Sequence, residues 1–273
     1  TFLSQPAHAL SKDEAVSFIK IMTKPQPPKF LDGSLPRSDE KEAVFVAREQ
    51  VLRQLDRFLQ QIVGGRGKVV FVTGDAGSGK TALIREFTQR ALVMHPEILV
   101  TYGDCNALTG IGDPYLPFRE ALGVLTGDLE QKWVSGCLRR EQAQQLWANI
   151  PLSVQSIVEE GPDLIDTFLS GTALLTRGKA YNPEKVEWLH PLEELINRKA
   201  AYLATTGPEQ KDLFTQYTKV FQVISLQQPI LLVLDDLQWA DLGSISLLFH
   251  LGRKIEDSRI LILGAFRSSE ITG

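Results

Sequence analysis

Residues 68–94 read KVVFVTGDAGSGKTALIREFTQRALVM, and the order of residue types along this stretch decides the fold class. Lys68–Thr73 is a short run of β-branched and aromatic residues, which predicts a buried strand. A glycine-rich turn follows, and beyond it Leu83, Ile84, Phe87, Ala91 and Leu92 recur at helical spacing until Pro96. The turn itself, Gly74-Asp75-Ala76-Gly77-Ser78-Gly79-Lys80-Thr81, fits G-x-x-x-x-G-K-[ST] at every fixed position. Its glycines let successive backbone N–H groups converge on one concave nest, and the helix that starts at Thr81 and Ala82 adds positive potential there. A polyphosphate fits such a nest. Lys80 supplies a charge for the β/γ-phosphates and Thr81 a hydroxyl for Mg²⁺. Gly74, Ala76, Gly77, Ser78, Gly79, Lys80, Thr81 and Ala82 are therefore the candidate phosphate-binding residues.

Outward from this loop, residues 98–102, 230–234 and 260–265 are near-continuously apolar, as parallel strands covered on both faces should be. Upstream, Val51, Leu52, Leu55, Phe58, Leu59 and Ile62 fall on one helical face that Gly64-Gly65 terminates. Strands alternating with helices predict a three-layer α/β fold built on a parallel sheet. The strand at 230–234 closes on Asp235-Asp236, a place suited to metal and water: Asp235 to hold Mg²⁺, Asp236 to orient or deprotonate an attacking water. For Asp235 to reach a cation at Thr81, the strand Lys68–Thr73 is expected directly beside 230–234. A dinucleotide fold is the rival, because Gly77 to Ala82 also satisfies G-x-G-x-x-A and Asp104 ends the next strand. In that fold the first strand would pair with the second.

Residues 1–41 read differently. Ser11 with Glu14 forms a capping box ahead of Val16, Ile19 and Ile21, and residues 24–41, with Pro25, Pro27, Pro28 and Pro36, have the composition of a linker. The boundary falls near Glu42, leaving 42–273 as the core. Residues 105–228 are too long for a simple crossover, and their helical stripes, among them Leu213, Phe214, Tyr217, Val220, Phe221 and Ile224, predict a helical insertion. Within it, residues 170–183 are the candidate for a mobile loop.

Of 273 residues, 43% are apolar, which excludes a disordered chain, and no uninterrupted apolar run exceeds five residues, far short of the roughly 20 that a spanning helix needs. With 29 Lys and Arg against 33 Asp and Glu, the net charge of −4 gives no global field for nucleic acid or acidic lipid. Cys105 and Cys137 have no C-x-x-C spacing, so neither a disulfide framework nor a zinc site is expected, and a reducing cytoplasm is the expected compartment. Thr1 and the lack of a signal segment after it suggest a piece of a longer polypeptide.

Taken in order, FVAREQVL, GDAGSGKT, QKDLFTQYTKVF, LLVLDDLQWADLGSISLL and LILGAFRSSEI resemble AAA+-related ATPase domains of the signal-transduction (STAND) type. The likeness is greatest to the bacterial branch found in large LuxR-type regulators and in cyclase-, kinase- or repeat-linked sensors. It spans residues 45–271 and is weakest in the insertion, where only DPYLPFREAL carries it. The resemblance implies that Phe45, Val46 and Arg48 lie against adenine, with Ala47 where the family usually has glycine. It also implies that Arg267 senses the γ-phosphate. Trp239 and Asp241 match the family's Q-W-A-D, with packing and helix capping as their alternative roles.

Such modules add a fifth strand, a helical lid and a winged helix, which lie beyond the resemblance, so a nucleotide-binding core without its lid is the expectation. It would bind Mg-ATP or ADP and hydrolyse ATP slowly, as a switch among flanking effector and sensor domains of the same polypeptide, with nucleotide-dependent self-association as a further expected contact. A P-loop kinase and a nucleotide-binding scaffold without turnover remain the alternatives; the Asp235-Asp236 pair favours water over another acceptor.

Overall fold

The computed structural model describes residues 27–32, 49–105, 114–201 and 207–267. The capping box at Ser11, most of the proline-rich stretch, and Phe45, Val46 and Arg48 lie outside these residues. Four parallel strands form one sheet: β1 (Lys68–Thr73), β2 (Leu99–Asp104), β3 (Ile230–Asp235) and β4 (Ile260–Phe266). Ten helices accompany them among the described residues. Helix α1 (Glu49–Val63) precedes β1, and α2 (Lys80–Met94) follows it. The insertion between β2 and β3 holds α3 (Leu116–Leu125), α4 (Glu130–Val134), α5 (Arg140–Ala148), α6 (Ile150–Glu160), α7 (Gly171–Tyr181), α8 (His190–Ala201) and α9 (Gln210–Gln227). Helix α10 (Leu242–Gly252) joins β3 to β4.

Alternation along the strands sorts the core into two layers, since successive side chains of a strand point to opposite faces. Ile230, Leu232, Leu234, Ile260 and Ile262 face the insertion, α9 and α10. Leu231, Val233, Leu261, Leu263 and Ala265 face α1 and α2, whose Leu52, Leu55, Leu59, Ile62, Leu83, Ile84, Phe87 and Ala91 close that side. Burial of each such side chain contributes on the order of 1.5 to 3 kcal/mol before the entropy of ordering is counted. The three-layer α/β sandwich expected from the sequence is present.

Its strand order is not the expected one. The sheet runs β1-β4-β3-β2, so Lys68–Thr73 pairs with β4 and is separated from β3 by a full strand. The expectation rested on reach, and reach is achieved another way: residues 74–80 carry the chain from the end of β1 across the end of β4. Seven residues easily cover two interstrand spacings, about 9–10 Å. The same order excludes the dinucleotide fold, because β1 and β2 lie at opposite edges of the sheet. Edge position also explains why β1 is not buried on both faces: Phe71 is 49% exposed and only Val72 is buried.

Three further expectations change. Residues 170–183 do not form a loop; most of them make α7, with Ser170 accepting a hydrogen bond from the Ala173 N–H at its start and Leu174, Gly178 and Tyr181 buried. The low apolar content reflects glycine at close approaches, since a Cβ on Gly178 would lie 2.5 Å from Leu189. Of the linker stretch, Lys29–Asp32 forms a 3₁₀ turn in which Leu31 is fully buried and its carbonyl accepts from Arg140 at 2.6 Å. One leucine with a core to fill outweighs the surrounding prolines. Val51, counted on the apolar face of α1, is instead exposed.

Candidate nucleotide site

The loop after β1 is shaped by its glycines. Gly77 and Gly79 have φ of 72° and 81°, a left-handed conformation that costs other residues about 1 kcal/mol or more. From Gly79 the chain enters α2, so that the free N–H groups of the first turn open at the end of the sheet. Lys80 is only 8% exposed, and its ammonium donates to the carbonyls of Gly74 and Asp75 at 2.8 and 3.0 Å. The lysine thus lies folded over its own loop, with both of these bonds made to neutral acceptors that a phosphate oxygen can replace.

Thr81 and Asp235 meet across 154 residues of sequence: the threonine Oγ1 donates to Asp235 Oδ2 at 3.0 Å. Asp235 Oδ1 accepts from the Asp236 N–H at 2.9 Å. Burial pushes the Asp235 carboxyl above its usual range, and these two hydrogen bonds only partly oppose that. A hydroxyl and a partly buried carboxylate at hydrogen-bond distance are hard oxygen donors of the kind Mg²⁺ takes. No group of three or more His, Cys, Asp or Glu suited to a metal occurs among the described residues. Mg²⁺ does not require one, since it keeps several waters and takes phosphate oxygens beside one or two protein ligands. The donor set fits the cation.

Asp236 adopts φ 53° and opens the 3₁₀ turn Leu237–Trp239. The turn turns its carboxylate back toward the sheet end, where Oδ1 lies 4.0 Å from Nε of Arg267, the residue just past β4. The candidate residues Lys80, Thr81, Asp235, Asp236 and Arg267 therefore come from the ends of β1, β3 and β4. Sequence reasoning did not assign a role to Gln238, whose amide lies between Asp236 and Arg267. Its position three residues past Asp235 was the available signal.

Two neighbours have other roles. Asp241 caps α10: it accepts from the Ser244 N–H at 3.0 Å, from the Ser244 hydroxyl, and from the Tyr115 N–H at 3.2 Å, which ties α3 to α10. Asp241→Ala should cost about 1 to 2 kcal/mol, the range for a lost cap, with ATP affinity unchanged; chemical denaturation alongside calorimetry checks both. Asp104, the ribose candidate of the dinucleotide reading, accepts from Lys132, which also bonds Glu120 at 3.1 Å. Burial by itself would lower the Lys132 ammonium, but these two carboxylates outweigh it and leave it raised. Trp239 is 40% exposed.

A family model described as AAA ATPase domain matches residues 44–263, from just before α1 to within β4. The chain belongs to this family of ATPase domains, which supports nucleotide binding and ATPase chemistry in general terms. No curated protein matches the chain. No helix among the described residues is long and apolar enough to cross a membrane.

Proposed function

We propose that this chain is the Mg-ATP- and ADP-binding core of a signal-transduction ATPase of the STAND type, a nucleotide-dependent switch within a larger regulatory protein. The observation that carries the reading is the 3.0 Å contact of Thr81 with Asp235 beside Lys80, which unites the two motifs expected to serve one phosphate group. The core is placed at 42–273 with its helical insertion at 105–228, and its partners are the nucleotide and the flanking domains.

In this reading the loop 74–79 and the N-terminus of α2 bind the phosphates through backbone N–H groups. Lys80 exchanges its bonds to Gly74 and Asp75 for β/γ-phosphate oxygens, trading neutral acceptors for charged ones. Thr81 and Asp235 would hold Mg²⁺, which supplies charge neutralisation on the phosphate oxygens. Asp236 orients a water and takes its proton as the water oxygen bonds to the γ-phosphorus; the bond from phosphorus to the β,γ-bridging oxygen breaks, leaving ADP and phosphate. Arg267, 4.0 Å from Asp236, lies where a cation can meet the developing charge. Adenine contacts are assigned to Phe45, Val46 and Arg48 on the resemblance.

Lys80→Ala tests the reading at its base. It should weaken ATP binding by roughly 1.5 to 3 kcal/mol, the value of a charged hydrogen bond. Calorimetry giving equal ATP affinity for both proteins would overturn it.

A further inference from the structure

The turn that follows Asp236 is fixed more firmly than a surface turn needs to be. Leu237 is buried, and its Cδ1 comes so near Gly264 of β4 that a Cβ there would lie 2.6 Å from it. Trp239 and Ala240 close the turn with backbone bonds to the carbonyls of Asp236 and Leu237 at 2.9 and 3.1 Å. Held in this way, Gln238 reaches back over the sheet end. Its Nε2 donates to Asp236 Oδ1 at 2.7 Å, and its Oε1 accepts from the Arg267 N–H at 3.1 Å. The carboxylate needs a donor and the backbone N–H an acceptor, so a single orientation of the amide satisfies both.

From this geometry we propose that Gln238 is a positioning residue for hydrolysis, acting through Asp236. Asp236 sits on a left-handed backbone with a side chain 43% exposed, and the Arg267 Nε lies 4.0 Å from its Oδ1. Without a third group the two would close into a direct ion pair, drawing the carboxylate away from the water and the guanidinium away from the phosphate. The amide of Gln238 occupies Oδ1, the oxygen that faces Arg267, and leaves Oδ2 for the water. Its other end fixes the backbone at Arg267, so one side chain registers the end of β3 against the end of β4. The inference rests on the proposed role of Asp236 in turnover.

The test is a double-mutant cycle read by single-turnover phosphate release and by ATP affinity. Gln238→Met keeps the volume and removes both hydrogen bonds; Gln238→Glu keeps the acceptor for the Arg267 N–H and removes the donor to Asp236. Both should lower the turnover rate about ten-fold or more, as misplacement of a reacting group does, while ATP affinity and thermal stability stay near the parent values. In an Asp236→Asn background, Gln238→Met should add almost nothing, because a residue that acts through another loses its effect once that partner is gone. Parent-like turnover in both single variants would overturn the proposal. So would a full Gln238→Met effect on top of Asp236→Asn, or Gln238→Glu matching the parent while Gln238→Met is slow, which would make the residue a clamp on β4 only. If Asp236→Asn turns over like the parent, the role of Asp236 fails and the inference with it; a slow Asp236→Asn with unaffected Gln238 variants removes the inference alone.

Discussion

Asp236→Asn should retain ATP binding and lose turnover by about 100-fold or more, the range for removing a positioned general base. The substitution keeps nearly every contact that shapes the site. Asparagine tolerates the left-handed backbone at φ 53° as well as aspartate does, and its Oδ1 can still accept from Gln238 Nε2. Asp235, whose own Oδ1 accepts from the backbone N–H of residue 236, is untouched. What disappears is a basic oxygen for the water and a negative charge opposite Arg267. A fall in the maximal rate at constant affinity therefore reports an interaction made in the transition state and not in the ground state. Single-turnover hydrolysis with saturating Mg-ATP, beside direct binding of the nucleotide, separates the two. Equal losses of binding and of rate would make Asp236 a structural residue of the loop, and an unchanged rate would leave the reading of a nucleotide scaffold.

The phosphate loop was legible because its chemistry is local: a strand, three glycines, Lys80 and Thr81 are contiguous, and each states its own requirement on the backbone. Asp235 was legible for a related reason, being the first charge after a run of buried residues. Strand order was not, because β1, β3 and β4 all read in sequence as short apolar runs, and nothing in that pattern says which is the neighbour of which; the exposure of Phe71 at the sheet edge shows only in the fold. The reach argument failed because contact between Thr81 and Asp235 does not require β1 and β3 to be paired: residues 74–80 cross the intervening β4. Helix α7 was missed because its interior positions Gly171 and Gly178 face neighbouring side chains and so carry no apolar signal. Leu31 was missed because burial of a single residue in a four-residue turn leaves no period to detect. Gln238 was passed over since a glutamine in a turn is ordinary until its two partners are known.

The insertion packs on the sheet through a joint that one added methyl group should disrupt. Leu99, Thr101, Gly103 and Cys105 alternate onto the face of β2 that meets α3. Thr101 is fully buried and donates to the Ala121 carbonyl at 2.6 Å, while the Tyr217 hydroxyl of α9 donates to the Phe118 carbonyl at 2.9 Å, so α3 is held from both sides. At Gly103 the first turn of α3 comes against the strand itself: a Cβ would lie 2.0 Å from the Pro117 carbonyl oxygen and 2.6 Å from its carbon. Both are backbone atoms, so no rotamer change relieves the contact and the helix must retreat. Its hydrogen bonds to Thr101 and Tyr217 would then stretch or break, leaving buried polar groups unpaired. Gly103→Ala should cost about 3 kcal/mol, the upper range for overpacking. The consequence should extend to the nucleotide site, because Asp104 is in register with Asp235 and Cys105 donates its N–H to the Asp235 carbonyl at 3.1 Å. Gly207→Ala is the control: a Cβ there meets nothing within 4 Å, and the change should leave stability within a few tenths of a kcal/mol. Denaturant midpoints for the two variants decide the matter. Equal midpoints would mean that α3 can slide on β2 without cost, and that the insertion is not rigidly joined to the strand ends that hold Asp235.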